Sequence, residues 1–98
     1  MSYPNIETLS RIRGLQSGVI YVDYDDTLCI NGNPNIPLIN ELRDAQKRGI
    51  SVHLWTHAGF NEANHRADSM IQYGLTFDDV HCNVQKADLI IDNLAVCP

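Results

Sequence analysis

Cysteine is scarce in this chain and does not pair up. Cys29, Cys82 and Cys97 are odd in number and lack framework spacing. That argues against a disulfide scaffold and for a reducing, cytoplasmic setting. Basic charge is equally thin: 7 Lys and Arg stand against 12 Asp and Glu, a formal net charge of -5. With no block of Lys or Arg, a broad footprint on nucleic acid or on an anionic membrane is disfavoured. A small local basic site stays open. No apolar run approaches the length needed to span a bilayer. The start, Met1-Ser2-Tyr3-Pro4-Asn5, has neither a charged n-region nor an apolar h-region, so no secretory signal is expected. Internal repeats, low-complexity segments and linkers are also missing. The 98 residues therefore read as one domain, 1–98, and a chain this short buries roughly 60–65% of its unfolded surface in a modest core.

What is present alternates in pattern. Residues 5–17 read as an N-terminal helical extension, with Ile6, Leu9, Ile12 and Leu15 near one face and Asn5 placed to cap it. Gly18 precedes a first strand over 19–23. Residues 29–37 read as a loop, because Asn31-Gly32-Asn33-Pro34 is dense in turn formers. A helix from Pro37 or Leu38 to Arg48 follows, with Leu38, Leu42 and Ala45 as its inner stripe and Gly49 as its stop. Then come a strand over 50–55, a helix over 61–73 ended by Gly74, a short third strand around Val80, and a fourth over 89–91. The order α-β-α-β-α-β-β contains two right-handed crossovers. It predicts an α/β fold: a three-layer, Rossmann-like arrangement around a short, mainly parallel sheet of about four strands.

One stretch is not explained by folding. In Val19-Ile20-Tyr21-Val22-Asp23-Tyr24-Asp25-Asp26-Thr27-Leu28 an apolar, β-branched run stops at an Asp-x-Asp-x-Thr cluster. A buried strand produces the first half. Packed carboxylates repel one another and call for a cation, and the carboxyl ends of parallel strands are where open α/β sheets bind ligands. Three more polar signals follow at predicted strand edges: Thr56 after the second strand, Lys86 after the third, and Asp92 at the end of the fourth.

This order resembles the haloacid dehalogenase-like (HAD) phosphohydrolase superfamily, over about residues 18–93. The run Lys86-Ala87-Asp88-Leu89-Ile90-Ile91-Asp92-Asn93 resembles the lysine, apolar strand and acidic pair of that family. The resemblance implies a magnesium-dependent phosphatase acting on a phosphomonoester. Phosphoryl transfer needs a nucleophile, neutralised equatorial oxygens and in-line geometry. By resemblance Asp23 attacks phosphorus and becomes an aspartyl-phosphate, while Asp25 protonates the leaving oxygen and later activates water. Mg2+ is held by Asp23, by the backbone carbonyl of Asp25 and by Asp92. Thr56 and Lys86 bind phosphate, and Asp26 and Thr27 contribute backbone N–H groups and loop geometry. His57, by its place next to Thr56, reads either as a further phosphate contact at the mouth of the site or as a plain loop histidine.

Plainer readings stand beside these. Asp23, Asp25 and Asp92 are residue types that favour turns, Thr56 can end a strand or cap the next helix, and Lys86 can be a solvated surface lysine. His53, His57, His81 and Cys82 match no familiar zinc spacing. Cys29 and Trp55 read as apolar packing residues, and Asp78 and Asp79 as turn residues. The chain also departs from the family. Asn93 replaces the second acid of the last motif, and residues 29–37 leave space for only a small flap, so no cap domain is expected. Leu94-Ala95-Val96 is read as at most a stub of a fifth strand. A sheet edge left open in this way needs cover by the N-terminal helix or by self-association, so a homo-oligomer is one expectation. A cap-less site takes a phosphorylated small molecule or a phosphate exposed on a larger one. The rival readings are a polynucleotide-end phosphatase, for which Arg11, Arg13, Lys47, Arg48 and Arg66 are the basic candidates, and a non-catalytic binding or regulatory module.

Overall fold

The computed structural model describes residues 6–82 and 94–96. The chain is α/β. In chain order it runs α1 (Ile6–Gly14), β1 (Val19–Asp23), β2 (Cys29–Ile30), β3 (Asn33–Pro34), α2 (Ile36–Lys47), β4 (Ser51–Trp55), α3 (Phe60–Ile71), β5 (Asp79–His81) and β6 (Leu94–Val96). Among the described residues four strands form one sheet in the order β5-β4-β1-β6, and every neighbouring pair in it is parallel.

Alternation along β1 and β4 decides what the sheet packs against. Ile20, Val22, Val52 and Leu54 point one way and are fully buried with Leu38 and Leu42 of α2, Met70 of α3 and Ile12 of α1. The three described helices therefore share one core on one face of the sheet, and the second helical layer of the expected three-layer arrangement is not among the described residues. Burying each such Leu or Ile contributes roughly 1.5–3 kcal/mol. The opposite face carries Tyr21, His53 and His81, half-buried and in mutual ring contact. The stops expected for α2 and α3 are both in place: Gly49 and Gly74 adopt φ of 92° and 80°, a left-handed conformation that a side chain disfavours.

Residues 29–37 are not a plain loop. β2 and β3 form an antiparallel hairpin, and Asn31 and Gly32 turn it with φ of 53° and 79°. Two successive positive-φ residues make a primed turn whose twist matches the strands it joins. The turn chemistry was thus a hairpin signal, and the hairpin is the small flap that the short spacing allows. Leu94–Val96, expected as at most a stub, is a strand of 3 residues paired parallel with β1, with Ile20, Tyr21 and Val22 opposite Leu94, Ala95 and Val96. That edge of β1 is therefore paired, and α1 packs on α2, where Arg48 donates to the Ile12 carbonyl at 2.9 Å. The strand expected at 89–91 lies outside the described residues. Among the described residues no helix is long and apolar enough to cross a membrane.

Candidate functional site

Strand order creates a favoured place for a ligand. From β1 the chain moves outward to β4 and then β5, and the last strand returns to the other side of β1. The sheet order therefore reverses at β1, and crevices in open parallel sheets lie outside the carboxyl ends at such points. Asp23 is the last residue of β1 and sits at that end.

Beyond Asp23 the backbone closes at once into a tight turn. The Tyr24 carbonyl accepts the N–H groups of Leu28 and Cys29 at 3.0 and 3.1 Å, and that of Thr27 at 3.3 Å. Asp26 sits at φ 57°, a conformation tolerated by Asp more readily than by most side chains, and its N–H donates to the Cys29 carbonyl at 2.9 Å. The N–H groups of Asp26 and Thr27 are consequently used to build the turn. Of the two contributions expected from these residues, loop geometry is the one the hydrogen bonds support. Asp23 Oδ1 accepts the Tyr24 N–H at 2.7 Å. The Asp25 side chain projects outward and is 66% exposed.

β4 lies in register beside β1, with Trp55 opposite Asp23. Thr56 is the next residue, so it arrives at the same edge. It is only 2% exposed, and its N–H donates to the His81 carbonyl at 3.0 Å, which fixes its backbone. Its Oγ1 accepts two hydrogen bonds, from the Ala58 N–H and from Arg66 Nη1, both at 3.1 Å. A hydroxyl has two acceptor lone pairs and one proton. With both lone pairs engaged, the Thr56 proton is what remains to offer, which suits an oxyanion.

Arg66 was missed as a site residue; the sequence reading held it only as a basic residue for a nucleic-acid groove. It lies in α3, and its Nη1 donates to Asp25 Oδ2 at 3.0 Å as well as to Thr56 Oγ1. Nε donates to Glu62 Oε1 at 3.3 Å, and the guanidinium lies 5.2 Å from the centre of the Tyr24 ring. The residue is held on three sides and is 18% exposed. One signal could have located it. Glu62 and Arg66 are one turn apart near the start of the helix that follows Thr56, and such a pair shares one face.

The other expected site residues fall as follows. His57 is exposed, next to Thr56, with its ring tilted 6.4 Å from that of Trp55. Lys86, Asp92 and Asn93 lie outside the described residues. Asp78 is more than a turn residue: its Oδ2 accepts the Val52 N–H at 2.7 Å and ties the approach to β5 onto β4. A cleft of about 170 Å³ opens beside the site between the hairpin and α3, lined in part by Tyr24, Cys29, Pro34, Ser69 and Tyr73.

Asp23 brings a carboxylate to the end of β1, whereas the Asp25 carboxylate points outward onto Arg66, so among the described residues no three acidic side chains converge there. An oxygen carboxylate such as that of Asp23 is a donor type that suits a hard cation such as Mg2+. Comparison with family models, with curated proteins and with solved structures found no match.

Proposed function

We propose that this protein is a magnesium-dependent phosphohydrolase that cleaves phosphomonoesters through an aspartyl-phosphate on Asp23, on an α/β, HAD-like frame. One observation carries the reading. A single guanidinium nitrogen touches both the Asp25 carboxylate and the Thr56 hydroxyl. The two motifs, far apart in sequence, thus meet at the carboxyl end of the strand that bears Asp23. The reversal of strand order at β1 supports the same place.

The chemistry follows from the residue types. An Asp23 carboxylate oxygen attacks phosphorus in line with the ester oxygen, and that bond breaks as the new one forms. Asp25 gives its proton to the departing alkoxide. It then takes a proton from the water that attacks the aspartyl-phosphate, which restores Asp23 and releases inorganic phosphate. The Thr56 hydroxyl and the Arg66 guanidinium receive equatorial phosphoryl oxygens, where donors already in place stabilise developing charge. Lys86 adds a point charge and His57 an outer contact to the phosphate. A phosphate dianion competes with Asp25 for Arg66, and the released Asp25 carboxylate takes a proton from solvent before it acts as the acid of the first step. Mg2+, held by Asp23, the Asp25 carbonyl and Asp92, would supply charge neutralisation between the nucleophile and the phosphate.

Among the described residues the site is open, with the hairpin as its flap. That favours a small phosphorylated molecule presented end-on or a phosphate exposed on a larger one, with a second copy of the chain as a candidate lid. Free Cys29 and Cys82 fit a reducing cytoplasm. The test is hydrolysis of p-nitrophenyl phosphate with Mg2+ or with a chelator, in the parent and in Asp23→Asn and Asp25→Asn. Both variants should lose at least ~100-fold in kcat while keeping the parent's circular dichroism. Equal rates in all three proteins would overturn the reading.

A further inference from the structure

The sheet face turned away from the helices holds a second cluster of donors. In parallel strands, residues in register point the same way. His53 of β4 is opposite Asp79 of β5, and Trp55 is opposite His81. The alternation therefore puts His53, Asp79 and His81 on one face. His53 Nδ1 and His81 Nε2 are 2.8 Å apart, with the rings stacked at 5.0 Å and 19°. Asp79 Oδ2 is 3.9 Å from the same His81 nitrogen. One ligand atom from each of the three residues falls within 4.8 Å of the other two.

We propose that His53 Nδ1, His81 Nε2 and a carboxylate oxygen of Asp79 form a binding site for a zinc-class divalent cation that staples the edge strand β5 to β4. Two imidazole nitrogens bound to one tetrahedral zinc stand roughly 3.3 Å apart, given Zn–N bonds near 2.0–2.1 Å. The observed 2.8 Å contact is a hydrogen bond, so one of the two nitrogens carries a proton; metal binding moves that proton to the other ring nitrogen or to solvent, and the pair then needs only a small opening by side-chain torsion. Two imidazoles and one carboxylate select zinc, nickel or copper over magnesium or calcium, which prefer oxygen throughout.

The donors are also held in place. Asp79 Oδ1 accepts the N–H of Val80 at 2.8 Å, which leaves Oδ2 for a ligand. The His81 carbonyl is bonded to the Thr56 N–H. The Tyr21 ring stands against both imidazoles, at 5.3 and 5.7 Å. Burial first, and then His81, lowers the pKa of His53, which favours the neutral imidazole that binds metal. The Asp79 and His81 side chains are 64% and 34% exposed, so an ion can enter from solvent and water can complete the coordination. A metal here also gives a physical role to a strand of only 3 residues that, among the described residues, lies at the sheet edge.

The test uses the whole chain, stripped with a chelator and titrated calorimetrically with Zn2+ alone; Co2+ is added separately to read tetrahedral coordination from its visible absorption. The expected result is one Zn2+ per chain and a rise in melting temperature. His53→Gln and His81→Gln should each weaken binding on the order of 100-fold, and Asp79→Asn about tenfold. Asp79 is exposed, so Asp79→Asn stays informative if a histidine variant does not fold. Asp23→Asn should leave zinc affinity unchanged, which separates this site from the one at the end of β1 and from the fate of the phosphohydrolase reading. No binding, equal binding by all variants, or binding lost in Asp23→Asn would each overturn the proposal.

Discussion

Arg66 is where stability and activity should part most clearly. In Arg66→Ala the protein loses an ion pair to Asp25, a hydrogen bond to Thr56 and a stacked contact with Tyr24. The ion pair is worth little, because the Asp25 side chain is 66% exposed and exposed pairs contribute about 0–1 kcal/mol. The cation–π contact adds about 0.5–1 kcal/mol at such a site. Arg66→Ala should therefore cost about 1–2 kcal/mol of folding stability, a fall in Tm of roughly 5–10 °C for a domain of this size. The effect on turnover should be larger. Removing one donor aimed at a developing oxyanion typically costs about 10²–10³ in kcat, equivalent to ~2.7–4 kcal/mol of transition-state stabilisation. The assay is steady-state hydrolysis of p-nitrophenyl phosphate well below the melting point of either protein, with Tm from circular dichroism. Arg66→Lys keeps the charge but loses the planar fork, and should recover about tenfold of the lost activity. The reasoning is refuted if Arg66→Ala keeps kcat/KM within ~threefold of the parent. It is also refuted if the two variants lose activity only in proportion to their unfolded fraction.

Two further outcomes test other parts of the structure. Thr27 is fully buried, and among the described residues its Oγ1 has no hydrogen-bond partner. Thr27→Val removes a desolvated hydroxyl at nearly constant shape and should stabilise the fold by about 1 kcal/mol in urea unfolding, with turnover unchanged; a loss of stability would show that the hydroxyl is satisfied after all. The pKa of His53 is lowered by burial and by His81, against the opposing pull of Asp79 and Asp78. Near and below its ordinary value the unfolded chain binds more protons than the native one at this position, so its contribution to stability is present above about pH 6.5 and falls as the pH drops through the folded pKa. Metal-free protein should melt at lower temperature as the pH is reduced through that window, by less in His53→Gln, and an unchanged slope in the variant would disprove the link.

The local grammar of this chain was legible from its residues. The apolar run ending at Asp23, the stripe of Leu38, Leu42 and Ala45, and the stops at Gly49 and Gly74 each rest on interactions between near neighbours. So did the hairpin, whose Asn31-Gly32 turn was present in the letters even though it was read as loop. What the letters did not contain was strand order and register. Pairing of Leu94–Val96 with β1 depends on which strand the chain returns to. Arg66 reaches Asp25 across 41 positions, and His53 meets His81 across 28. Spacing along a sequence carries local periodicity, because helix and strand repeat over a few residues. It carries no record of which distant faces close on one another, because that follows from burying one shared core, and only the folded sheet decides it.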